Sequence, residues 1–120
     1  MIMGIGLPRT GTSTLAEALR ILGYTGSSWC DLHDEGTEDD NDRDQFFVDN
    51  SFYQTIDTRG AVPNNKYILT VRNAKDWRIS MHNFGYECID ILEYTVQVRN
   101  AIPEADLLVI SWDEPYRWEN

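Results

Sequence analysis

Gly6-Leu7-Pro8-Arg9-Thr10-Gly11-Thr12-Ser13-Thr14 is the stretch on which the reading of this chain turns. Two glycines stand with four residues between them, and three hydroxyl residues follow the second. The outline is that of a phosphate-cradling loop, G-x-x-x-x-G-K-[ST]. Thr12, however, occupies the lysine position, and an arginine stands earlier, at Arg9. Before the loop, residues 1–7, MIMGIGL, form a short apolar run suited to a buried strand. Pro8 to Gly11 is turn material. After it, TSTLAEALRILGY reads as a helix from Thr12, with Leu15, Leu19 and Leu22 at i, i+4, i+7 and Gly23 as a natural C-terminal cap. Strand, glycine loop and helix in that order are the context a phosphate loop requires.

Working outward, residues 27–32 suit a short second strand and Phe46–Val48 another, with a short helix over residues 51–59. Residues 60–65, holding Pro63 and two asparagines, make a turn. KYILTV, residues 66–71, is the clearest strand: apolar, β-branched and bounded by turn residues. A helix follows from Asn73 or Ala74 to about Phe84. A second covers residues 87–101 with Ile91, Tyr94, Val98 and Ala101 on one stripe. LLVISW, residues 107–112, closes the series as a buried strand. Strands alternating with helices predict an α/β fold, a P-loop-type three-layer α/β/α sandwich around a mainly parallel sheet.

The chain has 120 residues, the size of one domain, and residues 1–120 are read as a single compact unit. Its net charge is −10, and residues 31–44, DLHDEGTEDDNDRD, carry eight acids and one arginine, a balance of −7. This stretch is expected to be an acidic exposed loop. Such a charge disfavours nucleic acid or an anionic membrane as partner, yet a small anion needs only local positive potential. No apolar run approaches the ~20 residues of a membrane span. The N-terminus lacks the pattern of a signal peptide, so a cytoplasmic location is expected. Cys30 and Cys88 fit no metal spacing and are read as reduced structural thiols.

A loop leading into a helix N-terminus aims several backbone N–H groups at one place, and the helix dipole adds positive potential there. Gly6 and Gly11 allow a tight turn and the close approach of a phosphate. Thr12, Ser13 and Thr14 add hydroxyl donors, and Arg9 adds a fork of charged ones. In P-loop NTPases the lysine reaches the β- and γ-phosphates and the next hydroxyl holds magnesium. Its absence here weakens the case for an ATP-dependent kinase. Arg72 stands at the end of the best strand, the edge at which open α/β sheets bind ligands. Ser80 lies eight residues on, inside the next helix, and the two can converge on a second anion.

Together the two stretches resemble the sulfotransferases that use 3′-phosphoadenylyl sulfate (PAPS). GLPRTGTSTLAEALRILGY is similar to their 5′-phosphosulfate loop. KYILTVRNAKDWRISMHNF is similar to their 3′-phosphate motif, an apolar strand followed by R-[ND]-x-x-x-x-x-x-S. DLLVISWDEPYRWEN also resembles a late strand of one branch. The resemblance covers roughly residues 1–24 and 61–118. It implies that Arg9 touches the bridging oxygen of the donor, and that Thr10, Gly11, Thr12, Ser13 and Thr14 bind the 5′-phosphate, mostly through backbone amides. Arg72 and Ser80 would bind the 3′-phosphate, and no metal would be required. The implied reaction moves a sulfuryl group to a hydroxyl or amine on a small or externally held acceptor, leaving 3′,5′-adenosine diphosphate.

Such a transfer calls for a general base. Asp49, in FFVDNSFY, is the first candidate, its other reading being a cap for the helix from Ser51. Asp44 ranks lower; His33 reads as a solvated loop residue and His82 as support for packing. D-x-D-x-D at Asp40, Asp42 and Asp44 suggests calcium, but Gln45 and Ser51 occupy the glycine and closing glutamate positions of an EF-hand loop. The four tryptophans are read mainly as packing. Family members run well beyond this length and carry a later glycine-rich basic loop over the nucleotide. The expectation is therefore a minimal enzyme, with a catalytically reduced nucleotide-binding or interaction protein as the rival reading.

Overall fold

The computed structural model describes residues 1–28, 44–85 and 87–111. Cys30, His33, Asp40, Asp42, Trp29, Trp112, Trp118 and most of the acidic stretch lie outside them. The described elements are β1 (Ile2–Gly4), α1 (Thr12–Ile21), β2 (Gly26–Ser28), β3 (Phe46–Val48), a 3-10 turn (Phe52–Gln54), α2 (Ile56–Arg59), β4 (Lys66–Val71), α3 (Ala74–Phe84), α4 (Ile91–Ala101), a second 3-10 turn (Glu104–Asp106) and β5 (Leu107–Ser111). The strands form one sheet in the order β2-β3-β1-β4-β5. Every pairing in it is parallel.

The sheet's period of two sorts the core into two layers. Phe46 and Val48, with Ile2 and Ile68 beside them, meet Leu15, Ala16 and Leu19 of α1. Met3, Ile5, Tyr67 and Leu69 face the opposite way, against Ile56 of α2, Trp77 and Met81 of α3, and Ile91, Tyr94 and Val98 of α4. Helices therefore cover both faces, giving the three-layer α/β/α sandwich. β1 lies centrally, with β3 and β4 on either side, and the chain leaves the C-terminal ends of the neighbours β1 and β3 in opposite directions, from β1 toward β2 and from β3 toward β4. That is the switch point at which open α/β sheets bind ligands.

The boundaries differ from the sequence reading in instructive ways. β1 ends at Gly4 rather than Leu7, though Ile5 N–H still donates to Ile68 O at 2.9 Å and both Ile5 and Leu7 stay buried. Helix α1 stops at Ile21, leaving Leu22 exposed. Gly23 takes φ 99, Tyr24 N–H donates to Leu19 O at 3.0 Å, and Gly23 N–H donates to Arg20 O at 3.0 Å. That pair of bonds is a Schellman ending, which a residue without Cβ accommodates. Helix α4 begins at Ile91, not Glu87, because Asp90 in extended backbone caps it by accepting from Leu92 N–H. Residues 51–59 split at Thr55 into a 3-10 turn and the short α2.

Candidate functional site

The glycine loop is held by its carbonyls. Tyr94 Oη–H donates to Ile5 O at 2.6 Å, and Thr10 Oγ1–H donates to Leu7 O at 2.6 Å. Trp77 Nε1–H donates to Pro8 O at 2.9 Å, and Arg72 Nη1–H donates to Arg9 O at 3.4 Å. Arg9 and Gly11 both adopt left-handed backbone, with φ 66 and 81. For arginine this conformation costs about 1–2 kcal/mol, which the surrounding bonds must sustain. Gly11 is the residue before α1, and no side chain caps that helix. The first N–H groups of α1 are thus free of intrahelical partners at the positive end of its dipole.

A cavity of about 390 Å³ opens there, lined by Pro8, Arg9, Gly11, Thr12, Ser13, Asn50, Arg72 and Phe84. Among the described residues its lining holds two arginines and no carboxylate, in a chain of net charge −10. A second cavity of about 270 Å³ adjoins it through Arg72 and is lined also by Asp76, Ile79, Ser80 and Asn83. The two predicted motifs meet directly. Arg9 Nε–H donates to Ser80 Oγ at 3.0 Å, and the Arg9 guanidinium lies over the Phe84 ring, 5.3 Å from its centroid. Ser80, accepting that bond, retains its own O–H to donate. Arg72 is thus shared by the two cavities.

Not every predicted residue reaches these cavities. Thr10 is fully buried, and its hydroxyl is engaged by Leu7 O and by Thr70 Oγ1 at 2.8 Å. Because the single proton of Thr10 goes to Leu7 O, Thr70 donates to Thr10. The Thr10 side chain therefore braces the loop from below, and any ligand contact falls to its backbone. Thr14 is exposed and outside both linings. Gly6 has a different reason from the one expected: a Cβ there would stand 2.0 Å from Thr70 Oγ1 and 2.7 Å from Thr10 Oγ1. The close approach it permits is to β4, not to a phosphate.

Asp49 lies at the C-terminal end of β3, 5 % exposed. Its Oδ1 accepts from Ser51 N–H at 2.9 Å and Ser51 Oγ–H at 2.7 Å, a turn-closing arrangement. Asn50, next in sequence, lines the cavity instead. The Asn50 Oδ1 atom is buried without a hydrogen-bond partner among the described residues. Asp44 is half-buried beside β3, outside the cavity linings. His82 is exposed on the last turn of α3 and supports no packing, correcting its expected role. Trp77 is buried as a packing residue. Arg78 turns away from the site to a two-pronged pair with Asp90, at 2.8 and 3.1 Å. Among the described residues no group of three or more His, Cys, Asp or Glu is arranged to hold a metal.

Sequence reasoning missed Asn50, Thr70 and Phe84. Phe84 carried a usable signal, since it stands four residues after Ser80 and so shares its helix face. Thr70 carried none, because its role is set by the strand pairing that brings β4 against β1.

Comparison with known proteins follows the same lines. Residues 1–51 match the family described as "Sulfotransferase domain". That span contains β1, the glycine loop, α1, β2 and β3, and stops short of Arg72 and Ser80. No curated protein matches the chain in sequence. Among solved structures, a gluconokinase from Sinorhizobium meliloti 1021 superposes with a TM-score of 0.53 at 12% identity, over 98% of this chain and 85% of that one. At that identity the likeness concerns the fold alone. The chain thus has the P-loop α/β fold, and its residues 1–51 are similar to the sulfotransferase domain.

Proposed function

We propose that the protein binds 3′-phosphoadenylyl sulfate and transfers its sulfuryl group to a hydroxyl or amine acceptor. The observation that carries this reading is the junction of the two motifs: Arg9 of the glycine loop bonded to Ser80 of α3, with Arg72 lining both cavities. In this reading the α1 N-terminus and the backbone of Gly11, Thr12 and Ser13 hold the 5′-phosphate. Arg72 and the Ser80 hydroxyl hold the 3′-phosphate. The donor supplies an activated sulfuryl group; as its S–O bond to the nucleotide breaks, negative charge grows on the bridging oxygen. Arg9 and the fixed amides stabilise that charge without rearranging, and the acceptor's proton passes to solvent as its new S–O or S–N bond forms. No β,γ-phosphate chain is involved, so the lysine and magnesium of an ATP loop have no task. The acceptor is a small molecule or a group held outside the cavity, and the expected setting is the cytoplasm.

One observation favours a second reading, a nucleotide-binding protein without turnover. Among the described residues no histidine, aspartate or glutamate lines the larger cavity, and the Asp49 carboxylate accepts twice from Ser51. Incubation with ³⁵S-labelled donor and a panel of hydroxyl and amine acceptors decides between the two. Labelled acceptor that disappears in Arg9→Ala is the outcome expected of the enzyme. Tight binding of 3′,5′-adenosine diphosphate with no labelled product would instead favour the binder.

A further inference from the structure

One face of α3 tracks the glycine loop. Trp77, Ser80 and Phe84 stand at i, i+3 and i+7, the spacing of a single helical stripe. Each touches the loop: Trp77 bonds Pro8 O, Ser80 accepts from Arg9 Nε, and the Phe84 ring lies under the Arg9 guanidinium. Phe84 is 57 % exposed, so burial in the core does not account for a phenyl ring at this place. It lines the larger cavity beside Arg9. Arg9 makes one side-chain hydrogen bond among the described residues, through Nε, so its Nη donors remain available to an anion.

We propose that Phe84 is a positioning residue for Arg9, its ring fixing the guanidinium beside the anion cavity while Ser80 fixes Nε. A free arginine side chain loses much rotational freedom when it engages an anion. A ring face and a hydroxyl one turn apart restrict it beforehand, so less is lost on binding. The ligand side of this proposal rests on the nucleotide reading above; the contact between ring and cation does not.

The test is titration calorimetry with 3′,5′-adenosine diphosphate on the wild type, Phe84→Leu, Phe84→Tyr, Arg9→Ala and the Arg9→Ala/Phe84→Leu double variant. Leucine retains apolar bulk but has no ring face. Phe84→Leu is expected to weaken binding about two- to fivefold, which is about 0.5–1 kcal/mol at ~1.4 kcal/mol per tenfold. Phe84→Tyr restores it, and in the Arg9→Ala background Phe84→Leu has no further effect. An equal loss in both backgrounds overturns the proposal, because the ring would then act on the ligand or on the cavity's shape. A ligand-free measurement stands beside it. The Arg9 Nε–H resonance is expected to shift in Phe84→Leu and to stay near its wild-type position in Phe84→Tyr. An unmoved resonance in Phe84→Leu overturns the positioning role. A wild type that binds no 3′,5′-adenosine diphosphate strikes the nucleotide reading alone, and the resonance then decides on Phe84.

Discussion

Gly6 stands where a methyl group has no room. Beneath it Thr10 and Thr70 share a buried hydroxyl pair, and β4 passes close enough that Thr70 O would lie 3.0 Å from an added Cβ. Gly6→Ala is therefore expected to cost about 2 kcal/mol of stability through overpacking, read as a lower midpoint in urea denaturation. A variant as stable as the wild type would contradict the arrangement. The glycine was legible in sequence as part of the loop, but its physical reason was not, since that depends on a strand distant in the chain. Arg9 was legible as a cation in the loop. Its left-handed backbone, φ 66, follows from bonds made by Trp77 and Arg72 to the carbonyls on either side of it. The sequence offers Asp49 as a base or a cap; its two bonds from Ser51 give it a local structural task, while Asn50 takes the place on the cavity wall.

At the scale of elements, α3 is the part that shapes the site. Asn73 starts it by accepting from Lys75 and Asp76 N–H groups, and Gly85 ends it in left-handed backbone. Both ends were readable from sequence, because caps are local chemistry. The grip on the loop is not local, so only the stripe of Trp77, Ser80 and Phe84 hinted at it. Trp77→Phe keeps the buried ring system in part and removes the bond to Pro8 O. It is expected to lose about 1–3 kcal/mol, from repacking and from an unpaired carbonyl, and to weaken anion binding along with stability. Unchanged anion affinity would show that this bond does not hold the loop in shape.

Helix α4 offers a test by pH. Asp90 accepts from Leu92 N–H at the helix start and from Arg78, and the Arg78 hydrogen bond, foremost, holds its carboxyl below the usual range. A depressed carboxylate contributes stability that is fully present above its unfolded value of ~3.9 and is lost as pH falls through its folded value. Asp90→Ala should cost ~1 kcal/mol at neutral pH, mainly from the cap. The exposed ion pair adds little to that. The gap between variant and wild type should narrow as pH falls below ~4. Urea midpoints at several pH values read this directly, and a gap that persists unchanged into acid would contradict it.

On the scale of the whole molecule, a parallel sheet in the order β2-β3-β1-β4-β5 places three strand ends together: β1 with the loop, β3 with Asn50, β4 with Arg72. The alternation of strands and helices made this architecture readable from the sequence. The positions of Phe84 and Thr70 were not, for they emerge only once β4 and α3 lie against β1. In a chain of net charge −10, the described lining of the larger cavity holds two arginines and no acid. Such a site should be selective for a compact, doubly phosphorylated nucleotide over a long polyphosphate chain with magnesium. The most direct measurement is calorimetric titration with 3′,5′-adenosine diphosphate against ATP with magnesium, on the wild type and on Arg72→Ala. The account predicts tighter binding of 3′,5′-adenosine diphosphate, with the preference lost in Arg72→Ala; binding of neither nucleotide, or tighter binding of ATP with magnesium, would contradict it.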